Sequence, residues 1–177
     1  MILLLNGPFG IGKTTTARLL VERLPDAMLY DPELVGLFVS ALVEPVERRN
    51  DFQDLTLWPR LFVDMAWLLR ETYGRSLVIP MALWCHGYFD AITCGLRDVD
   101  RDLVCVRLTA TEDTVRVRIL ARPDSEGPHA WCLTHLEVGL RAARDPAFGV
   151  EVDTEGRTPD DVATAVLALL DRRDPSV

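Results

Sequence analysis

One stretch near the start of the chain, residues 7–14, restricts what this sequence can fold into. It reads Gly-Pro-Phe-Gly-Ile-Gly-Lys-Thr, which fits the pattern G-x-x-x-x-G-K-[ST] of a phosphate-binding loop. An apolar run precedes it at residues 1–5 and an amphipathic run follows it at residues 17–24, as expected for a strand, a loop and a helix. The glycines permit backbone conformations that a Cβ atom would forbid, so successive N–H groups can turn toward phosphate oxygens.

The residues of this loop have distinct expected roles. We expect nucleotide phosphates to be bound by Gly7, Pro8, Phe9, Gly10, Ile11, Gly12, Lys13, Thr14 and Thr15. In such loops the lysine reaches the β- and γ-phosphates, and the Thr14 hydroxyl can coordinate Mg²⁺. Of the 19 basic residues, Lys13 is the single lysine and all others are arginine. The alternative, a glycine-rich turn with a solvated lysine, leaves that exception unexplained.

Length, charge and cysteine content exclude several classes of protein. A chain of 177 residues is expected to form one domain, residues 1–177, and its net charge of −8 argues against a nucleic-acid partner. The four cysteines lack metal-binding spacing and are predicted to be reduced, mostly buried thiols. The first apolar run is too short for a signal peptide, and no run is long enough to span a membrane. We therefore expect a cytoplasmic protein.

Apolar runs alternate with helical patterns along the rest of the chain. Strands are predicted at residues 1–5, 27–30, 76–83, 103–108 and 148–153. The third is expected to be interrupted or to end near Pro80. Capping signals predict that helices start at Thr109, with Glu112, and at Thr158, with Pro159. This alternation predicts a three-layer α/β/α fold, with a five-stranded parallel sheet and a ligand cleft at the carboxyl ends of its strands.

Asp31 is the candidate catalytic base. It follows the second predicted strand and lies 18 residues after Lys13, which places it at the predicted cleft. Phosphoryl transfer needs a group that orients or deprotonates the acceptor. Asp31 also precedes Pro32, so a helix N-cap is the competing interpretation, and the two roles are compatible.

Arg118 and Arg122 are candidates for stabilising phosphate charge. They are four residues apart, so they share one face of a predicted helix that leads into a Gly/Pro-rich loop at residues 123–128. Cations on a segment that closes over phosphates would stabilise the transition state and exclude water. On spacing alone, two solvated arginines paired with Glu112 or Asp113 are an equally good interpretation.

The aromatic residues are predicted from their surroundings. Apolar residues recur at helical spacing from Leu34 to Leu42 and again around Trp67. Trp67 is therefore expected to lie in the core. Trp58 borders a polar segment and could cover a flat group of a substrate. Trp84 and Trp131 remain unassigned.

With these residues in view, the chain resembles small P-loop kinases of the nucleoside monophosphate, shikimate and chloramphenicol phosphotransferase types. It is most similar to the tunicamycin-resistance (TmrB-like) family of ATP-binding proteins. The resemblance covers nearly the whole chain. Its most specific segments are residues 6–15, 30–33, 51–54 and 78–81, together with Arg118 and Arg122.

The resemblance implies ATP and Mg²⁺ as cofactors, a substrate flap at about residues 32–58 and a lid at about residues 118–132. It implies that Asp31 lies near the acceptor hydroxyl, that Arg118 borders the adenine and that Arg122 lies by the phosphates, with Lys13 completing the catalytic set. Asp153 and the residues after it would also border the nucleotide. The acceptor contacts that it implies come from Asp31, Glu33, Gln53 and Trp58.

One departure from the family pattern is that the third strand ends in Pro80-Met81-Ala82, with no Asp at the usual Walker B position. The leading hypothesis is an ATP-dependent phosphotransferase that acts on a hydroxyl of a small molecule, by resemblance a nucleoside antibiotic such as tunicamycin. The missing acid motivates a second hypothesis, an ATP-dependent resistance protein that sequesters its ligand without catalysis. A third is an NTPase-type regulator. The sequence does not identify the acceptor, and it leaves a homodimer open.

Overall fold

A computed structural model describes residues 1–123 and 128–172 of the chain. Its strands are β1 (Ile2–Asn6), β2 (Ala27–Leu29), β3 (Ser76–Met81), β4 (Leu103–Thr109) and β5 (Val150–Asp153). They form one parallel sheet in the order β2-β3-β1-β4-β5, so β1 pairs with β3 on one side and with β4 on the other. The predicted five-stranded parallel sheet is confirmed.

Helices cover both faces of the sheet, which confirms the predicted three layers. They are α1 (Lys13–Arg23), α2 (Pro32–Val43), α3 (Trp58–Tyr73), α4 (His86–Val99), α5 (Glu112–Ala121), α6 (His129–Thr134), α7 (Leu136–Arg144) and α8 (Pro159–Asp171). Two 3₁₀ turns lie at Phe52–Asp54 and Pro146–Phe148. Within the described residues, no helix is both long enough and apolar enough to cross a membrane.

The central strand β1 is buried on both faces. Leu3 and Leu5 pack in a cluster with residues of α1, α5 and α8, whereas Ile2 and Leu4 pack with residues of α3 and α4. Successive side chains of a strand point to opposite faces, so a continuous apolar run suits a strand between two helical layers. The loop that follows β1 therefore starts from a strand that is fixed on both sides.

The third strand continues through Pro80 and ends at Met81, so the predicted end near Pro80 is confirmed and Pro80 does not interrupt the strand. The Tyr30 N–H donates to the Val78 carbonyl, which shows that the polar groups of Val78 face β2. Backbone groups two residues apart in a strand point the same way, so the missing N–H of Pro80 also points to that side. Pro80 lies beyond the part of β3 that pairs with Leu29, the last residue of β2. The absence of an N–H group at Pro80 therefore removes no hydrogen bond from the sheet.

The start of α5 differs from its prediction, whereas the start of α8 agrees. Thr111 is the N-cap of α5 and its hydroxyl accepts from the Thr114 N–H, while Thr109, the predicted cap, is the last residue of β4. At α8, Thr158 and Asp161 form a reciprocal capping box. Capping residues in a run of threonines cannot be separated by spacing alone, because each Thr can serve.

The sequence pattern from Trp131 to Ala143 predicts one helix, and the structure differs. This segment contains two helices, α6 and α7, which meet at His135. His135 Nδ1 lies 2.8 Å from the Trp131 carbonyl oxygen. The loop predicted at residues 123–128 lies outside the described residues at 124–127.

Several apolar side chains face solvent. On α2 the residues with helical apolar spacing point outward, with side chains 59–65% exposed: Leu34, Leu37, Phe38 and Leu42. The buried face contains Gly36, where an added Cβ would come within 2.4 Å of the Phe52 ring. Trp67, predicted to lie in the core, is 50% exposed on α3. Cys85 and Cys94 are exposed, so the prediction of mostly buried thiols is wrong for them.

The side chain of Asn6 joins the end of β1 to the segment after β3. Its Oδ1 accepts the N–H groups of Gly7 and Leu83, both at 2.8 Å, and its Nδ2 donates to the Leu83 carbonyl at 2.9 Å. Asn6 is buried, so these bonds are shielded from water. They fix the first glycine of the loop relative to the neighbouring strand.

Replacing Asn6 tests this coupling. We expect Asn6→Ala to lower the free energy of unfolding by about 2–4 kcal/mol, because it leaves buried backbone groups of Gly7 and Leu83 without partners. Asn50→Ala, an exposed asparagine, is the matched control and should stay within about 0.5 kcal/mol of the parent. Urea denaturation measures both, and equal losses in the two variants would contradict the role of Asn6.

Candidate functional site

The loop between β1 and α1 has a backbone shape that depends on glycine. Gly10 and Gly12 have φ angles of 75° and 100°, in the left-handed region. A Cβ on Gly10 would lie 2.5 Å from the Ile119 side chain, so α5 packs directly on the loop. The N-cap of α1 is Gly12, and no side chain bonds the first N–H groups of this helix. Those N–H groups and the helix dipole form a site suited to an anion.

The Lys13 ammonium is held against the same loop. Nζ donates to the carbonyls of Gly7 and Pro8, both at 2.9 Å, and lies 5.6 Å from the centre of the Phe9 ring. Burial lowers the pKa of Lys13 from 10.5 to about 8, although the nearby Glu33 carboxylate opposes this shift. A cation at this position is suited to bind phosphate oxygens that reach the helix N-terminus.

A cleft of about 570 Å³ brings most of the predicted site residues together. Those that line it are Phe9, Gly10, Gly12, Lys13, Thr14, Thr15, Asp31, Glu33, Gln53, Arg118 and Arg122. Residues that follow β1, β2 and β4 thus meet at one edge of the sheet, where ligands of open parallel sheets bind. The volume is within the usual range for sites that bind small molecules.

Asp31 and Glu33 reach the cleft from the start of α2. Asp31 Oδ1 accepts the Glu33 N–H at 3.0 Å, which confirms the N-cap interpretation. A carboxylate has a second oxygen, so capping leaves Asp31 able to bind a hydroxyl group. Burial raises the pKa of Glu33, with Lys13 opposing the shift and Asp31 adding to it.

Asp51 and Gln53 reach the cleft from the 3₁₀ turn and the residue before it. Asp51 Oδ1 accepts the Gln53 N–H at 2.9 Å, and Gln53 Nε2 donates to the Ala82 carbonyl at 3.0 Å. Burial raises the pKa of Asp51, although the bond from the Gln53 N–H opposes this. Together with Asp31 and Glu33, Asp51 makes this side of the cleft rich in carboxylates.

Arg118 and Arg122 both line the cleft from the α5 side. Arg118 donates through Nη1 to Thr154 Oγ1 and through Nη2 to the Thr154 carbonyl, both at 2.8 Å. Glu112, a surface partner that spacing allowed for these arginines, instead pairs with Arg116 at 2.7 Å. The structure therefore directs Arg118 toward the cleft and the segment after β5.

A smaller cavity of about 220 Å³ lies beside Arg118 and the loop, and it is also lined by Thr154 and Arg157. Asp153, predicted to border the nucleotide, lines neither cavity, and its Oδ1 accepts the Glu155 N–H at 3.0 Å. The residues after Asp153, rather than Asp153 itself, therefore border this space.

Trp58 does not reach the cleft surface. Its ring is fully buried and packs against Phe52 and Phe62, with centroid distances of 5.3 and 5.5 Å. Its Nε1 donates to the Pro32 carbonyl at 3.2 Å. Trp58 thus supports Phe52, which lines the cleft, whereas the unassigned Trp131 lines the cleft directly.

Sequence reasoning missed the structural role of Asn6. Asn6 is the one polar residue at the end of the apolar strand β1, and a buried polar group of this kind indicates a hydrogen-bonding role. Thr154 and Arg157 belong to the segment after Asp153, which was predicted to lie at the cleft without either residue being singled out.

The oxygen donors of the site suit a magnesium ion only if phosphate oxygens coordinate the ion as well. In the part of the chain that the structure describes, no group of three or more His, Cys, Asp or Glu residues could hold a metal ion. Pro80 and Met81 line the cleft at the end of β3, so this strand supplies no carboxylate. Thr14 and Asp31 line the same cleft and offer oxygen ligands, which suit a hard cation completed by phosphate oxygens and water.

Comparisons with known proteins agree with this geometry. A family model described as an AAA domain matches residues 2–143. The tunicamycin resistance protein of Deinococcus radiodurans has a similar structure, with 24% identity, coverage of 96% of this chain and 95% of that one, and a TM-score of 0.77. A comparison with curated proteins found no match.

Two kinases with solved structures are similar over their whole lengths. A gluconokinase from Sinorhizobium meliloti 1021 is 17% identical, covers 97% of this chain and 91% of its own, and gives a TM-score of 0.66. A shikimate kinase from Acinetobacter baumannii is 18% identical, with coverages of 99% and 95% and a TM-score of 0.63. The shared fold is the α/β fold of P-loop kinases, a nucleotide-binding fold.

The buried Lys13 charge has a measurable cost. We expect Lys13→Met to raise the free energy of unfolding of the nucleotide-free protein by about 1–2 kcal/mol at pH 7, since folding no longer desolvates an ammonium. The folded pKa of about 8 lies below the unfolded value of 10.5, so this gain is full below pH 8 and disappears as pH approaches 10.5.

Denaturation at several pH values, with Arg18→Met as a control for an exposed cation on the same helix, measures this effect. The control should change stability by less than about 0.5 kcal/mol. A loss of stability in Lys13→Met at pH 7 would show that the bonds to Gly7 and Pro8 outweigh the desolvation of the charge.

Proposed function

The chain belongs to the AAA domain family, and on that premise we propose that it is an ATP-dependent phosphotransferase acting on a hydroxyl of a small molecule. The observation that carries the proposal is that one cleft holds Lys13 on a glycine-rich loop, Arg118 and Arg122 on one side, and Asp31 on another. Charge neutralisation and an acceptor-orienting group are what phosphoryl transfer requires.

The nucleotide side of the proposal rests on cations and N–H groups. The open N-terminus of α1 and Lys13 bind the phosphates, and Arg118 and Arg122 stabilise the charge that develops during transfer. We place the adenine in the smaller cavity, between Arg118 and the segment after Asp153. Bound Mg²⁺ would neutralise phosphate charge, with Thr14 as its protein ligand and phosphate oxygens and water as the others.

The acceptor side rests on Asp31. The Asp31 carboxylate oxygen that is not used for capping takes the proton of the acceptor hydroxyl. At the same time the hydroxyl oxygen of the acceptor bonds to the γ-phosphorus, and the bond from that phosphorus to the leaving ADP oxygen breaks. We propose residues 32–58 as the flap that binds the acceptor through Glu33 and Gln53, and residues 118–132 as the lid. Trp58 serves this flap by supporting Phe52.

The acceptor that we propose is a hydroxyl-bearing compound such as a nucleoside antibiotic. The likeness to a tunicamycin resistance protein supports tunicamycin as the first compound to test. Incubation with Mg²⁺ and ATP labelled at the γ-phosphate, followed by separation of products, tests the activity directly. A labelled product that depends on the acceptor supports the proposal, and the absence of product from a broad set of hydroxyl compounds refutes it.

A second function is favoured by one observation. β3 brings Pro80 and Met81 to the cleft, so no carboxylate comes from the strand beside the loop. A protein with this site could bind a nucleotide and retain a small ligand without transfer. Mass spectrometry of the released ligand separates the two functions, because a gain of one phosphoryl group excludes sequestration and an unchanged mass with ATP-dependent binding supports it.

Asp31 offers a test that separates catalysis from capping. Asp31→Asn keeps an oxygen that can accept the Glu33 N–H, so we expect stability to change by less than about 0.5 kcal/mol. It removes the base, so kcat should fall by about 10²–10⁴-fold. Asp31→Ala should lose the same activity and also about 1 kcal/mol of stability. Full turnover by a folded Asp31→Asn variant would exclude Asp31 as the base.

A further inference from the structure

Gln53 carries a buried amide oxygen that the fold leaves without a partner. The residue is 3% exposed and lines the main cleft. Its Nε2 donates to the Ala82 carbonyl, and since a carbonyl oxygen only accepts, this bond fixes which end of the amide is which. Oε1 is the other end, and among the described residues it has no hydrogen-bond partner. A buried acceptor without a partner at a cleft indicates a donor that arrives with a ligand.

The groups beside Gln53 are acceptors as well. Asp51 and Glu33 line the same cleft. Ionised carboxylates only accept hydrogen bonds. We call Glu33, Asp51 and Gln53 the acceptor-rich wall. Both its unpaired oxygen and its carboxylates are satisfied by N–H and O–H donors.

Cations are missing from this wall. Among the described residues from 31 to 58 that line the cleft, none is positively charged. Arg48 and Arg49, the two arginines of this segment, pair with Glu44 and Glu47 and do not line the cleft. The cations that do line it, Lys13, Arg118 and Arg122, come from the phosphate-binding loop and from α5 or its C-cap.

We propose that the acceptor-rich wall selects a phosphoryl acceptor that presents N–H or O–H donors and carries no carboxylate or phosphate group. This inference rests on the proposed function, in which the nucleotide phosphates occupy Lys13, Arg118 and Arg122. A carboxylate or phosphate on the acceptor would then face the wall with no cation to offset the repulsion. Hydroxyl or amino groups instead bond Gln53 Oε1 and the two carboxylates, while Gln53 Nε2 keeps its bond to the Ala82 carbonyl.

Matched pairs of small compounds test this selectivity. The ¹⁵N-labelled full chain, with Mg²⁺ and a non-hydrolysable ATP analogue, is titrated with uridine and uridine monophosphate, and with glucosamine and gluconate. The side-chain amide signal of Gln53 reports binding at the wall. We expect uridine or glucosamine to shift this signal with at least about tenfold higher affinity than its anionic partner. Comparing the affinities of uridine, which is neutral, and glucosamine, which carries an ammonium group, also shows whether the wall prefers a neutral or a cationic acceptor.

Two outcomes of this titration overturn the inference. One is an anionic compound that shifts the Gln53 signal as strongly as its partner does. The other is a failure of both uridine and glucosamine to shift the signal at tens of millimolar.

Variants of the wall give a second measurement. Asp51→Asn keeps the cap on the Gln53 N–H and removes one charge, so the preference over the anionic partner should fall several-fold. Gln53→Leu should weaken binding of the favoured compound about tenfold at unchanged affinity for the ATP analogue. Asp64→Asn removes a carboxylate of α3 that pairs with Arg60 outside the cleft, so it is the control and should leave the preference unchanged. If Gln53→Leu does not fold, Asp51→Asn decides, and an unchanged preference in it refutes the inference.

Phosphoryl transfer to the same four compounds is measured separately. A binding preference without transfer to any hydroxyl compound supports the selectivity of the wall and contradicts the proposed kinase activity. Transfer to gluconate or to uridine monophosphate in preference to its partner supports the kinase activity and overturns the selectivity.

Discussion

The hydrogen bonds of Asn6 couple the central strand of the sheet to the glycine-rich loop and to the segment that follows β3. β1 is buried on both faces, so its end has little freedom, and Asn6 ties that end both to Gly7 and to Leu83 beyond β3. The loop then turns through left-handed glycines into α1, and α5 packs on Gly10 through Ile119. The geometry of this loop is therefore a consequence of sheet packing, so it does not depend on a bound ligand.

The site carries charges that the folded chain holds at a cost. Burial lowers the pKa of Lys13 and raises the pKa values of Glu33 and Asp51, so each charged form is disfavoured by its surroundings. For the two carboxyls, the folded protein holds protons more tightly than the unfolded chain, so their contribution to stability falls as pH rises above their unfolded pKa values. Charged groups that weaken the fold and line one cleft are explained by function better than by stability.

Sequence patterns were sufficient to predict the motifs that are formed by residues close together in the chain. The glycine-rich loop, the Asp31 cap and the capping box of α8 each depend on residues close in sequence, so spacing predicts them. The orientation of the α2 stripe and the burial of Trp58 and Trp67 could not be predicted from spacing, because burial depends on distant partners. Gly36 packs α2 against Phe52 through its small face, which leaves the larger apolar residues outside.

The remaining feature, the division of charge across the cleft, follows from topology. In the strand order β2-β3-β1-β4-β5, residues that follow β2 and residues that follow β4 reach the cleft from opposite sides of β1. Asp31 and Glu33 follow β2, whereas Arg118 and Arg122 follow β4, and the loop with Lys13 lies between them. No spacing along the chain reveals this arrangement, because it appears only when the strands are ordered in the sheet. Under the proposed function, a phosphoryl group bound at the loop would have cations on one side and carboxylates on the other, an asymmetry suited to transfer to a hydroxyl.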